Sequence, residues 1–198
     1  MINKFILIIV FIISYMQFYA QAIKKTTTPK IYFSSHIGIG LVKGHLSSNV
    51  KRGFQAMTGI EYKFNNHTSV VGELNFDGYS YKKTTDLYSI DGLVNNIPLT
   101  LFYKYTFGIK KWLPYTKFGL GSAKVTVPLA LQNNNFTIIK NSSIILMQFQ
   151  TALGLNYEIK KGYLSFIEVG YQQFGKNKLL YNKQLNVLGF KIGIATAL

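Results

Sequence analysis

Residues 96–108 read Asn96-Ile97-Pro98-Leu99-Thr100-Leu101-Phe102-Tyr103-Lys104-Tyr105-Thr106-Phe107-Gly108. The odd positions, from Ile97 to Phe107, are all apolar or aromatic. The even positions are Pro98, Thr100, Phe102, Lys104 and Thr106, so the opposite face carries a charge at mid-strand. A strict period of two is the signature of a β-strand, because a helix would scatter the same residues around its circumference. A soluble sheet would lay such an apolar face on a core. Here the flanking segments repeat the design, and lipid is what remains to cover their faces.

Working outward from this stretch, the same alternation predicts strands at 68–78 and 54–64 before it and 114–124 after it. The first sets Val70, Leu74 and Phe76 against Glu73, Asn75 and Asp77; the second sets Phe54, Ala56, Ile60 and Tyr62 against Gln55, Glu61 and Lys63. The third sets Phe118 and Leu120 against Lys117, Gly119 and Gly121. Further strands follow at 31–42, 144–158 and 163–172, and the last runs from about Leu188 to the C-terminus. The total is eight. The connections alternate in length. Asn65-Asn66-His67, Gly108 to Leu113 and Ile159 to Gly162 are short, whereas Lys43 to Gly53, Tyr79 to Asn95, Val125 to Ser143 and Gln173 to Gln184 are long and polar. Short turns on one side and long loops on the other are what a transmembrane up-and-down barrel shows. An even strand number puts both termini on the periplasmic side. The third long loop contains Leu129, Leu131, Phe136, Ile138 and Ile139, and predicts a hairpin that extends strands five and six beyond the membrane.

The chain has 198 residues, with 14 Tyr and 15 Phe but one Trp. It has no Cys, which excludes disulfides, thiolate metal sites and thiol nucleophiles. Its start has the form of a secretion signal: Lys4 in a short polar head, an apolar run from Phe5 to Ser14, and the small residues Ala20-Gln21-Ala22. Residues 1–22 are therefore expected to be removed, after Ala20 or Ala22, leaving a barrel domain over 23–198. The apolar run is short of the roughly 20 residues a membrane-spanning helix needs. Losing Lys4 takes the net charge from +15 to +14, so the basic excess belongs to the exported part.

Aromatic residues crowd the strand ends beside the short turns: Tyr62, Phe64, Tyr103, Tyr105, Phe107, Trp112, Tyr115, Tyr157 and Tyr163. Amphipathic rings favour the membrane–water boundary, and this set is expected to form an aromatic girdle. The competing arrangement is a soluble lipocalin-like barrel with the faces exchanged. The signal segment, the girdle and the charged second face argue against it.

Eight strands enclose an interior that side chains fill, so the expected lumen is packed, with no continuous channel. Its charged residues are expected to be Glu61, Glu73, Asp77 and Glu168 with Lys63, Lys104, Lys117 and Lys191, joined by His36 from the first strand. Buried charges require partners, and the near balance of signs points to a structural salt-bridge network. A proton path or an acid–base pair is the competing reading. No catalytic, cofactor or metal residues are expected. Gly38-Ile39-Gly40 and Gly119-Leu120-Gly121 open no helix, no Gly-x-Ser-x-Gly elbow occurs, and three His leave little for a metal. The basic residues Lys43, Lys51, Arg52, Lys82, Lys83, Lys140, Lys176, Lys178 and Lys183 fall in the long loops. They suit anionic lipid head groups, lipopolysaccharide or surface polysaccharide, or simply form a solvated basic surface. Nucleic acid is not expected.

The run Ile97-Pro98-Leu99 into Phe102-Tyr103-Lys104-Tyr105, then Pro114-Tyr115 to Gly119-Leu120-Gly121, resembles the outer-membrane β-barrel family of Bacteroidetes related to PorT. In architecture the chain is also similar to the small OmpX/OmpA-type barrels. Lys191-x-Gly193-x-x-Thr196-x-Leu198 is similar to the C-terminal signal read by the barrel-assembly machinery, departing at Thr196 and Leu198. The resemblance implies the outer membrane of a Gram-negative bacterium; within the family it is PorT itself that is implicated in secretion. The expected role is structural or surface-binding, through the long loops. Two alternatives are an OmpW-like conduit for small hydrophobic solutes, for which inward Phe102 and Phe166 are few, and a lipid A-modifying barrel enzyme.

Overall fold

The computed structural model describes residues 30–84, 89–107, 111–133, 136–180 and 182–198. The signal segment and the basic lead to Pro29 lie outside them. Eight strands, β1 (Lys30–Lys43), β2 (Val50–Lys63), β3 (Thr68–Thr84), β4 (Ser89–Thr106), β5 (Trp112–Asn133), β6 (Phe136–Lys160), β7 (Tyr163–Asn177) and β8 (Lys183–Ala197), follow in chain order. Each pairs antiparallel with its sequence neighbours, and β8 pairs with β1 to close the barrel. Closure leaves no unpaired edge, which hydrocarbon requires.

Period-two alternation becomes an inside and an outside. Leu99, Leu101 and Tyr103 of β4 point outward, while Thr100, Phe102 and Lys104 are buried within the barrel. The outward belt runs round the whole wall: Ile37 and Ile39, Phe54 and Ile60, Phe76, Phe118 and Leu120, Ile145 and Met147, Ile167, Ile192 and Ile194 are all exposed. A water-soluble protein does not expose so continuous an apolar surface. The lipocalin-like exchange of faces is thereby overturned.

The strands are longer than the sequence predicts, chiefly at the end away from the termini. Tyr79 to Asn95 is mostly a ladder that extends to Thr84↔Ser89, and β5 and β6 pair out to Asn133↔Phe136, the expected hairpin. The β3–β4 extension escaped the sequence reading because its outward face is mostly polar (Ser80, Lys82, Asp91), Leu93 apart. Its inward face continues the period with Tyr79, Tyr81, Ile90 and Val94. The opposite end keeps the short turns. In one of them, the tight Lys161-Gly162 turn, Gly162 takes φ +83, where a side chain would be strained.

The girdle holds with one correction. Tyr62, Phe64, Tyr103, Tyr105, Phe107, Trp112 and Tyr163 are exposed beside the short turns, and Trp112 lies 4.6 Å from the half-buried Tyr157 between ring centroids. Tyr115 is 4% exposed and lies in the lumen, because it shares strand parity with Lys117. Its ring crosses Gly154, its β6 partner, and a Cβ there would collide with it. Phe102 lies over Gly119 in the same way. Glycine thus makes room in the wall for rings that fill the lumen. Gly154→Ala is expected to lower unfolding free energy by about 1–3 kcal/mol through overpacking. In a Tyr115→Ala background the same change should cost little, and denaturant titration of the two pairs gives the coupling.

Candidate functional site

Inward side chains stack in storeys. Nearest the termini, Tyr32, Leu164, Phe166 and Ala195 form a small apolar floor. Above and beside it Glu61 of β2 accepts from Lys104 Nζ of β4 at 2.9 Å and from Ser69 Oγ at 2.7 Å. The next storey centres on Lys117 of β5, which spans the lumen between Glu73 of β3 and Glu168 of β7, the latter at 2.8 Å. Glu168 also meets Lys191 of β8, its cross-strand partner, at 3.3 Å. Tyr115 donates its hydroxyl to the same carboxylate at 2.9 Å. Rings complete the cage: Lys117 lies 4.4 Å from the Phe102 centroid, and Lys104 lies 4.4 Å from that of Tyr115.

A storey rich in amides follows. Gln55 donates to Tyr79 at 3.0 Å and to Gln172 at 3.2 Å, and Gln172 donates to Gln150 at 3.1 Å. Tyr79 donates to Asp77 at 3.2 Å, and Gln148 donates to Thr100. The far storey is apolar: Val42, Leu46, Val50, Tyr81, Ile90, Val94, Val125, Val127, Leu146, Phe174, Leu185 and Val187 pack into one buried cluster. This corrects the sequence reading, in which Phe102 and Phe166 were the inward apolar residues of note. The additional ones lie at strand ends or in segments that read as connections, where alternation is short and interrupted by polar outward residues.

Of the residues expected in the lumen, Lys63 at the near end of β2 is half-buried and the other eight are buried there. Glu61, Glu73, Glu168, Lys104, Lys117 and Lys191 are joined by ion pairs, whereas Asp77 is held by Tyr79 in the storey beyond. His36 differs: it sits edge-on to Phe166, with ring centroids 5.2 Å apart, and neither ring nitrogen has a protein hydrogen-bond partner. It touches the network through a cavity of about 20 Å³ lined also by Glu73, Lys117 and Glu168, a space of about one water. No serine or carboxylate orients its ring. His67 belongs to a short turn, with Nδ1 3.0 Å from the Thr106 carbonyl oxygen. Among the described residues no three His, Cys, Asp or Glu side chains converge as a metal site. The network's chemistry is charge compensation, between non-adjacent strands in the pairs Glu61–Lys104, Glu73–Lys117 and Lys117–Glu168 and between neighbours in Glu168–Lys191.

A closed eight-stranded wall, apolar outside, ionic inside and girdled beside its short turns, has the architecture of the small outer-membrane β-barrels. No protein-family model matches the chain, and no curated protein matches it in sequence. Solved structures do match in fold. Neisserial surface protein A is 14% identical, with a TM-score of 0.60 over 84% of this chain and 96% of its own. OprG from Pseudomonas aeruginosa is 13% identical, with a TM-score of 0.57 over 86% and 95%. Ail of Yersinia pestis, solved in complex with the heparin analogue sucrose octasulfate, is 19% identical, with a TM-score of 0.53 over 87% and 100%. At these identities the likeness is one of fold.

Proposed function

We propose that the protein is an exported, non-catalytic outer-membrane barrel with a structural or binding role at the cell surface. The observation behind this reading is the lumen, in which a cross-linked ionic storey and an apolar plug occupy the bore. A barrel filled in this way works through its outside. The strand extensions beyond the lipid belt, chiefly β3–β4 and β5–β6, are the surface on offer, with the short turns and both termini in the periplasm. Surface polysaccharide and proteins are the partners that suit it, and the barrel-assembly machinery would act during biogenesis through β8. The relation to PorT and to Bacteroidetes rests on the sequence resemblance alone.

Heat-modifiability combined with protease treatment of intact cells tests this reading. The expected result is a gel shift on boiling, with cleavage confined to the far-end connections. A soluble periplasmic protein without a shift would overturn it. The hydrophobic-solute conduit has one observation in its favour, the apolar plug. Against it, all eight strand pairs are hydrogen-bonded, leaving no lateral gap. Unchanged uptake of hydrophobic solutes in a deletion strain would remove it, and unchanged lipid A mass spectra would remove a lipid A-modifying activity.

A further inference from the structure

The seven acidic residues all lie between Glu61 and Glu168; residues 1–60 and 169–198 contain none. Closure of β8 on β1 brings these two acid-free ends side by side. The far rim over β7, β8, β1 and β2 consequently carries Lys176, Lys178, Lys183, Lys43, Lys51 and Arg52, all exposed, with no acid in those strands beyond Glu168 and before Glu61. Elsewhere on the rim Lys82 faces Asp91 across the β3–β4 ladder. The same side of the barrel bears a second feature. Below this rim the outer wall has an apolar depression of about 690 Å³, whose lining includes Ile37, Ile39, Phe54, Val169, Phe190 and Ile192. It forms where β1 and β8 approach closely: a Cβ on Gly38 would strike the Phe190 carbonyl oxygen.

The two features are in register. Ile39 pairs with Phe54 at the edge of the depression, Leu41 pairs with Arg52 one outward-facing step higher, and Lys43 is the next outward residue on β1. At about 3.3 Å per residue, Arg52 stands about 7 Å and Lys43 about 13 Å further along the strands. Cations one or two steps above an apolar hollow match a ligand with a hydrocarbon body and an anionic head. We propose that this side of the wall binds a phosphorylated, acylated lipid of the outer leaflet, with acyl chains in the depression and phosphate on Arg52 and Lys43. The site rests on the barrel's placement in the outer membrane, which the gel shift reads separately.

The test uses the full-length gene product, purified folded from outer membranes in detergent and titrated with bisphosphorylated lipid A under native mass spectrometry. Two charge-matched double variants are compared, K43Q/R52Q and K82Q/K140Q, each first checked for the heat-induced gel shift. A charge-assisted contact is worth enough that losing two should weaken binding by at least about tenfold. The K82Q/K140Q protein should change by less than about twofold, and lipid A without phosphate should bind the wild type as weakly as K43Q/R52Q binds the phosphorylated form. Equal losses in both variants would reveal diffuse surface charge and overturn the site. So would unchanged binding in K43Q/R52Q, or competition by sucrose octasulfate as effective as that by lipid A, since a soluble polyanion makes no use of the depression.

Discussion

Lys117→Met is expected to lower the unfolding free energy by about 3–5 kcal/mol, the usual cost of leaving a buried charge without its partner. Lys117 is the shared cation of Glu73 and Glu168. The two carboxylates are not equally exposed to its loss. Glu168 retains Lys191 at 3.3 Å and the Tyr115 hydroxyl, whereas Lys117 is the ion-pair partner of Glu73. A Lys117→Met/Glu73→Leu double variant removes the orphaned charge and leaves the Glu168–Lys191 pair intact. Its unfolding midpoint in urea, measured in lipid vesicles, should recover more than half of the loss. A double variant no more stable than the single would mean that packing against Phe102, not charge, is what Lys117 supplies.

The second large effect separates the two possible solvents for the outer wall. Leu101 is 63% exposed at the centre of the outward apolar run of β4 that extends from Ile97 to Tyr105. In water, Leu101→Arg would be nearly neutral and would improve solubility. In a bilayer, an arginine on the lipid face near the midplane costs about 2–4 kcal/mol. The expected outcome is destabilisation of that size in vesicles, with reduced yield of the heat-modifiable form. Loss of less than about 0.5 kcal/mol, the range of ordinary surface substitutions, would place the belt in water.

Parity along each strand was legible in the sequence because lipid contact enforces it residue by residue. The inward set from His36 to Lys191 follows from counting by twos. Tyr115 could have been placed the same way; its nearness to a short turn suggested the girdle, although its parity with Lys117 required the lumen. The far ends of the strands were harder. Lys82 and Asp91 on an outward face look like loop residues, yet above the lipid belt the outward face of a strand is wet and charge is ordinary there. Partners across the bore were not legible at all. That Lys117 meets Glu73 two strands away and Glu168 also two strands away depends on the stagger with which the sheet closes. The acid-free ends are visible in the sequence, but their adjacency exists only once β8 finds β1.

That last pairing has a kinetic meaning. The amide of Leu198 bonds the carbonyl of Ile31 at 2.9 Å, joining residues far apart in sequence at the seam between β8 and β1. Contacts of such long sequence separation form late, since the loop-closure entropy must be met before they reward it. Until then both β1 and β8 present open edges that hydrocarbon does not tolerate. The seven earlier ladders can assemble hairpin by hairpin, but the completed cylinder arises in one final step, so release of a finished molecule into the membrane depends on β8 finding β1.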